Sequence, residues 1–368
     1  MLKVKFGKSS YSLSLAFEFA KVLFFVYCFL ISIDLMGTAF KASGEGFAES
    51  VMQTTSNPFL SLIIGIVVTS IIQSSSTTTS IIVAMVGAGT ISLKYAIPMI
   101  MGANIGTTVT CTIVSFCYLG RKAEFERSFS AAIVNDIFKI FVTIILFPLE
   151  MYTGIIYKSA NVGAKIFTGM GGMQLVNPLK MIVKPVSHLI AGIVDNHILL
   201  IIVALLCLFY SISKIVSIMK GIVIEKIEKV LNKYLFRNII ISMLFGLIIT
   251  ALVQSSSITT SMVIPLVGAG LLTIEQIFPY TLGADVGTTI TAFLAALTFG
   301  IESAIAVAFA HLFFNVIGIS IFFPLRWIPI RTAKIIGRFA AHSKKQFIIF
   351  ILIYISLHFV PIVFALFN

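Results

Sequence analysis

Apolar residues run through this chain in blocks too long for a globular core, and short polar motifs break them at recurring places. Segments 11–36, 128–149, 196–216, 302–324 and 347–367 are nearly continuous runs of Leu, Ile, Val, Phe and Ala, each meeting the ~20 residues that a membrane-spanning helix needs. Residues 58–89 and 238–270 are apolar too, but Gln-Ser-Ser-Ser interrupts each at its middle. The halves, about 15 residues long, are too short to cross alone, so each segment predicts a re-entrant helical hairpin. After them come spans 95–118 and 275–297, each broken by a second polar, Gly-flexed motif at 102–108 and 283–289.

These breaks belong to an internal repeat. Residues 61–110 align without a gap onto 242–291 at a constant offset of 181, and 21 of the 50 pairs are identical. The matches include QSSSTTTS at 73–80 with QSSSITTS at 254–261, VGAG at 86–89 with 267–270, and GANIGTT at 102–108 with GADVGTT at 283–289. Similar helices share composition by chance, but not this order of polar residues. The chain then divides into an N-terminal helix and connection (1–56), a first repeat (57–149), an external connection with amphipathic stretches suited to a membrane surface (150–195), a linking helix with a basic cytoplasmic connection (196–237), a second repeat (238–325), and a basic loop with a last helix (326–368).

Lys and Arg in short loops set orientation. Residues 326–345 hold six basic residues and no acid, and 220–237 hold five against two Glu, so both are placed inside. With the second hairpin entering from the cytoplasm, the first enters from outside, which is the inverted-topology repeat of many secondary transporters. The count leaves the C-terminus outside. Lys3, Lys5 and Lys8 precede an apolar stretch too long for a signal-peptide core, so helix 1 is read as retained.

Composition agrees: 58% of residues are apolar and 11% charged, less than half the charged share of soluble domains. The fold class expected is an all-α polytopic membrane protein, multi-pass in the plasma (inner) membrane, with two inverted repeats. The net charge of +12 lies in the connections and is an orientation signal, not a nucleic-acid surface. Cys28, Cys111, Cys117 and Cys207 lack metal-ligand or disulfide spacing and read as core packing, and the Phe-rich spans read as lipid-facing filler. Glu18 with Lys21, and Asp136 with Lys139, have the i, i+3 spacing of mutually neutralising pairs. No cofactor and no enzyme chemistry are expected.

Non-helical backbone at membrane depth is tolerated only where protein buries it or a wet cavity meets it, so each Gln-Ser-Ser-Ser tip implies a site. A half-helix starting there offers free N–H groups to an anion, with hydroxyls of Ser74, Ser75, Ser76, Ser255, Ser256 and Ser257 as donors. Gln73 and Gln254 carry amides able to donate to the anion and accept from a helix end. Sodium needs oxygen acceptors instead, which Thr hydroxyls and unwound carbonyls supply. The second breaks add Asn104, Thr107, Thr108, Asp285, Thr288 and Thr289. A carboxylate at that depth costs at least ~2.5 kcal/mol, so Asp285 requires a cation or proton as partner. Ser and Thr in isolation would read as helix-packing residues; their duplication in one block argues for a site.

At QSSSTTTS, QSSSITTS and the GANIGTT pair the chain resembles the type II sodium-dependent phosphate cotransporter family, over roughly residues 55–325. RKAEFERSFSAA (121–132) and HLFFN (311–315) also fit. The resemblance implies sodium and phosphate sites at Gln73 through Thr77 and Gln254 through Ser257, with Thr259 and Thr260 nearby, together with alternating access and a homodimer. Asp285 departs from an Asn common in animal members. The run NDIFK (135–139) resembles an HDxFN element tied to an additional sodium ion, which makes Asp136 and Lys139 an extra cation site in which an ammonium substitutes for that ion.

Sodium-coupled phosphate symport is thus the leading reading, with a phosphate exporter or a carrier of another oxyanion as alternatives. An intramembrane serine hydrolase using a buried Ser and His311 is a remote one, since no GxSG-type elbow is present and His311 reads as a packing histidine.

Overall fold

A computed structural model describes residues 5–44, 50–51, 57–107, 109–194, 196–231 and 238–367. Among these, all regular structure is helical, the arrangement that satisfies every backbone group within its own segment when lipid is the solvent. The helices are α1 (Lys5–Ala42), α2 (Pro58–Ile72), α3 (Ser75–Ala88), α4 (Leu93–Gly106), α5 (Val109–Ser115), α6 (Lys122–Thr153), α7 (Ile155–Phe167), α8 (Met173–Ile193), α9 (His197–Leu231), α10 (Ile239–Val253), α11 (Ser256–Ser261), α12 (Ile264–Gly268), α13 (Ile274–Gly287), α14 (Thr289–Phe299), α15 (Glu302–Phe322), α16 (Trp327–His342) and α17 (Lys344–Phe367). Six stretches among the described residues are long and apolar enough to cross a membrane: Ala16–Ala42, Leu93–Tyr118, Lys122–Thr153, His197–Met219, Ile274–Phe299 and Glu302–Phe322.

Equivalent helices of the two repeats begin and pack alike. Asn57 caps α2 by accepting from Phe59 N at 2.9 Å, and Asn238 caps α10 by accepting from Ile240 N at 2.9 Å, each cap contributing about 1 kcal/mol. α2 lies along α4, and α10 along α13, at backbone contact. A Cβ on Gly102 would sit 2.0 Å from Leu62 O, and one on Gly283 would sit 1.8 Å from Met243 O. Small residues permit this approach, and in lipid close packing replaces the hydrophobic drive between helices. The repeats differ where α3 is continuous but its counterpart is split into α11 and α12. Pro265 stands there in place of Ala84; having no N–H, it cannot complete the ladder and starts α12 instead.

The repeats interlock rather than sit side by side. α3 packs on α14, α5 on α11 and α12, α4 on α15, and α6 on α13, and one apolar cluster runs through both halves.

Residues 150–195, expected as an external connection, include α7, which packs on α15, and α8, which packs on α1 and α14. Two expectations are corrected. The phenylalanines are not all lipid-facing, because Phe29, Phe129, Phe138, Phe278 and Phe314 are fully buried, with Phe138 edge-on to Phe278 and Phe322 at 5.9 and 6.0 Å. Rings fill gaps between helices that aliphatic side chains leave open. Of the cysteines, all free thiols, Cys111 is buried but Cys117 is exposed in the short turn after α5.

Candidate functional site

The two Gln-Ser-Ser-Ser runs fold alike. Gln73 (φ 58°, ψ 27°) and Gln254 (φ 61°, ψ 22°) end α2 and α10 in the left-handed region, and among the described residues no other non-glycine has positive φ. A side chain there costs roughly 1–2 kcal/mol, and observed strain of this kind points to a functional constraint. The Gln73 and Gln254 N–H groups donate to Thr69 O and Thr250 O, both at 2.7 Å. Ser74 then caps α3, its Oγ accepting from Thr77 N at 3.2 Å and from Thr77 Oγ1 at 2.8 Å. Ser255 Oγ accepts from Ile258 N at 3.4 Å.

The glutamine amides bond the ends of their own helices. Gln73 Nε2 donates to Ser70 O and Gln254 Nε2 donates to Ala251 O, because the last turn of a helix presents carbonyls without partners. Gln254 Oε1 accepts from Thr291 Oγ1 on α14. One N–H of each amide is thus tied to a helix end; a primary amide carries a second N–H and an oxygen, able to serve an anion or a cation.

The breaks meet. Ser76 Oγ donates to Gln254 O at 3.4 Å across the repeats, and a cavity of about 380 Å³ is lined by Gln73, Ser74 and Thr77 from one and Gln254 and Ser255 from the other. Ser213 and Ser217 of α9 complete its wall; a lone serine in an apolar run gave no signal in sequence. Ser75, Ser76 and Ser256 are buried beside it, and Ser257 is half-buried. Thr259 and Thr260 donate to Ser255 O and Ser256 O at 2.9 and 2.8 Å, and Thr260 Oγ1 also contacts Cys111 Sγ at 3.1 Å.

At the second breaks, α4 ends at Gly106 and α13 at Gly287. Asn104 Nδ2 donates to Ile100 O at 2.9 Å and Thr107 Oγ1 to Asn104 O at 3.2 Å; Thr108 lies outside the described residues. Thr288 Oγ1 donates to Asp285 O and Thr289 Oγ1 to Val286 O, both at 2.7 Å. These side chains tie up carbonyls of their own helix ends and line no part of the cavity described above.

Asp285 has a cation, but from the protein. Lys139 Nζ lies 2.9 Å from Asp285 Oδ1, with side chains 4% and 1% exposed. The spacing on α6 pairs Lys139 with Asp136; the structure instead sends the ammonium across to α13, where the deeper carboxylate lies, and Asp136 Oδ2 accepts from Tyr354 Oη at 3.4 Å. Asn135 and Asn315, within the NDIFK and HLFFN runs but not named as site residues from sequence, donate to Asp285 Oδ1 and Asp285 O at 3.2 and 3.1 Å. The Glu18–Lys21 pair forms at 2.7 Å. Both ring nitrogens of His311 are buried without a hydrogen-bond partner among the described residues, so no Ser–His pair supports hydrolysis.

A family model described as Na+/Pi-cotransporter matches twice, over residues 28–176 and 207–359, one match to each half of the chain. The sodium-dependent phosphate transport protein 2A of Rattus norvegicus is 32% identical over 413 residues, covering 90% of this chain and 65% of that protein. Protein 2B of Homo sapiens is 30% identical over 438 residues, covering 91% and 63%. The chain therefore spans a little under two thirds of the length of these relatives. No solved structure matches it.

Proposed function

Because this chain belongs to the Na+/Pi-cotransporter family, we propose that it is a multi-pass secondary carrier that brings inorganic phosphate and sodium across the plasma membrane together by alternating access. The observation that carries the reading is the shared cavity, where two strained glutamine breaks from separate repeats face each other through Ser76 and Gln254. Phosphate is held by serine hydroxyls and the first-turn N–H groups of α3, which have no intrahelical partner. Sodium is held by Gln254 Oε1, Thr77 and the main-chain oxygens freed at the breaks. Anion and cations neutralise one another in the site, and the occupied cavity then opens to the other face. The two helix–break–helix units act as re-entrant hairpins entering from opposite faces.

Radiolabelled phosphate uptake into proteoliposomes tests this. Uptake is expected to require an inward sodium gradient, to vanish when potassium replaces sodium, and to fall in Gln73→Ala and Gln254→Ala. Each lost contact to a charged ligand contributes about 1.5–3 kcal/mol, or roughly ten- to hundredfold in occupancy. Sodium-indifferent uptake by inserted wild type would overturn the coupling, and preferential competition by sulfate or arsenate would overturn the substrate.

A further inference from the structure

The second hairpin has a gap in its hydrogen-bond ladder, and one side chain from another helix fills it. In an unbroken helix the Val263 N–H would donate to Thr259 O, four residues back; with α11 ending at Ser261 it donates to Thr260 O instead, at 3.2 Å. Thr259 O is answered by Tyr280 Oη of α13, at 3.0 Å. Tyr280 is 1% exposed, and at such depth a carbonyl left without a donor is costly. Its ring lies between the two arms of the hairpin. On one side are Phe245, with ring centroids 6.0 Å apart, and Gly246, on which a Cβ would sit 3.1 Å from Tyr280 Cδ2. On the other are Val263 and Val267.

The internal repeat supplies the comparison. At the offset of 181, Tyr280 corresponds to Met99, Thr259 to Thr78, Val263 to Ile82 and Pro265 to Ala84. α3 is continuous through Thr78 and Ile82, so no outside donor is needed there, and methionine has none to offer. The space between the arms is correspondingly open: a cavity of about 370 Å³ is lined by Ile64, Gly65, Thr78, Ile82 and Met99, the counterparts of Phe245, Gly246, Thr259, Val263 and Tyr280. The hydroxyl and the break thus occur together in one repeat and are absent together from the other. The two pieces of the broken arm are also fastened differently. Tyr118 Oη donates to Pro265 O at 3.2 Å, and Arg127 Nε and Nη2 donate to Gly268 O at 3.1 and 2.8 Å, tying α12 to the first repeat. α11, which begins within the Gln-Ser-Ser-Ser motif, meets the first repeat through Cys111 Sγ and its own repeat through Tyr280.

We propose that Tyr280 is a positioning residue for the second Gln-Ser-Ser-Ser loop: its hydroxyl replaces the ladder bond lost at the Pro265 break and holds α11, with Ser255 and Ser256 at its start, in place beside the shared cavity. The inference deepens the phosphate-carrier reading above and rests on it for its consequence in transport. The first loop needs no such residue, because its second half-helix is rigid through its own backbone.

Wild type, Tyr280→Phe, Pro265→Ala and the double variant are compared. Phe keeps the ring between the arms and removes only the hydroxyl, while Ala restores the N–H with which a continuous helix closes its ladder. In proteoliposomes, Tyr280→Phe is expected to raise the KM for phosphate roughly two- to tenfold, as for the loss of one hydrogen bond, with kcat little changed. In the Pro265→Ala background, where the Val263 N–H reaches Thr259 O, the same substitution is expected to leave KM where it was. Thermal unfolding in detergent is expected to follow the same pattern, Tyr280→Phe lowering Tm only when Pro265 is present. Equal effects of Tyr280→Phe in both backgrounds would overturn the link between hydroxyl and break, and a lower Tm with unchanged KM would make Tyr280 a packing residue and overturn its role at the site. Absence of phosphate uptake by inserted wild type would instead overturn the transport reading, while the Tm comparison still decides whether the hydroxyl stands in for the missing bond.

Discussion

Gln73 and Gln254 each do two things at once: the backbone turns through the left-handed region while the side chain ties the helix end and lines the cavity. An Ala substitution disturbs only the second, because Ala keeps the backbone penalty. Glycine separates them, since it adopts positive φ without that cost. Gln73→Gly and Gln254→Gly are expected to unfold at or slightly above the wild-type Tm, gaining up to about 1–2 kcal/mol from relief of strain against the lost amide bond, while uptake falls as in the Ala variants. A glycine variant with full uptake would show that backbone shape alone makes the site. The doubled motif made these residues visible in sequence. Thr291, which donates to Gln254 Oε1, was not visible, because a threonine in an apolar helix has the same pattern whether it bonds its own backbone or a neighbour's side chain.

At the scale of elements, glycine sets how closely helices approach. Gly102 and Gly283 place α4 and α13 directly against the carbonyls of α2 and α10, and those helices in turn carry the strained glutamines. A methyl group there has only backbone to displace. Gly102→Ala and Gly283→Ala are each expected to cost at least about 1–3 kcal/mol, the range for overpacked sites, seen as a lower Tm or lost yield in detergent. Gly192→Ala on α8, where a Cβ meets nothing within 4 Å, is the control and is expected to be neutral or to gain up to about 1 kcal/mol from helix propensity. The split of α11 from α12 follows from Pro265, which the sequence reading did not single out, and the docking of α7 and α8 on the bundle was hidden because an amphipathic helix has the same periodicity facing lipid headgroups or other helices.

The whole molecule is held by interlocking of the two halves and not by surface charge. α16 bridges them with Lys334–Glu275 and Arg338–Glu126, but exposed ion pairs of this kind contribute ~0–1 kcal/mol each beside the shared apolar cluster. If the repeats are inverted in the bilayer, equivalent positions must face opposite sides. Lys94 and Glu275 are such a pair, one residue into α4 and α13 at charged ends. Lys94→Cys and Glu275→Cys, each in a background without the exposed Cys117, are expected to react with a membrane-impermeant maleimide from opposite faces of sealed, oriented vesicles. Labelling of both from one face would replace inversion by a parallel repeat.

Order along the chain was enough to determine which stretches are helical and apolar, that they recur as a pair, where each is broken, and which residue types stand at the breaks. All of these are local properties, set by backbone satisfaction in lipid and by the φ/ψ freedom of Gly, Pro and polar caps. Only the tertiary structure decided which breaks share a cavity, that α9 contributes Ser213 and Ser217 to its wall, and that Lys139 answers Asp285 rather than its neighbour one turn away. Those outcomes depend on how helices far apart in the chain rotate and cross, and a helical period specifies the face a residue occupies without specifying which helix that face will meet.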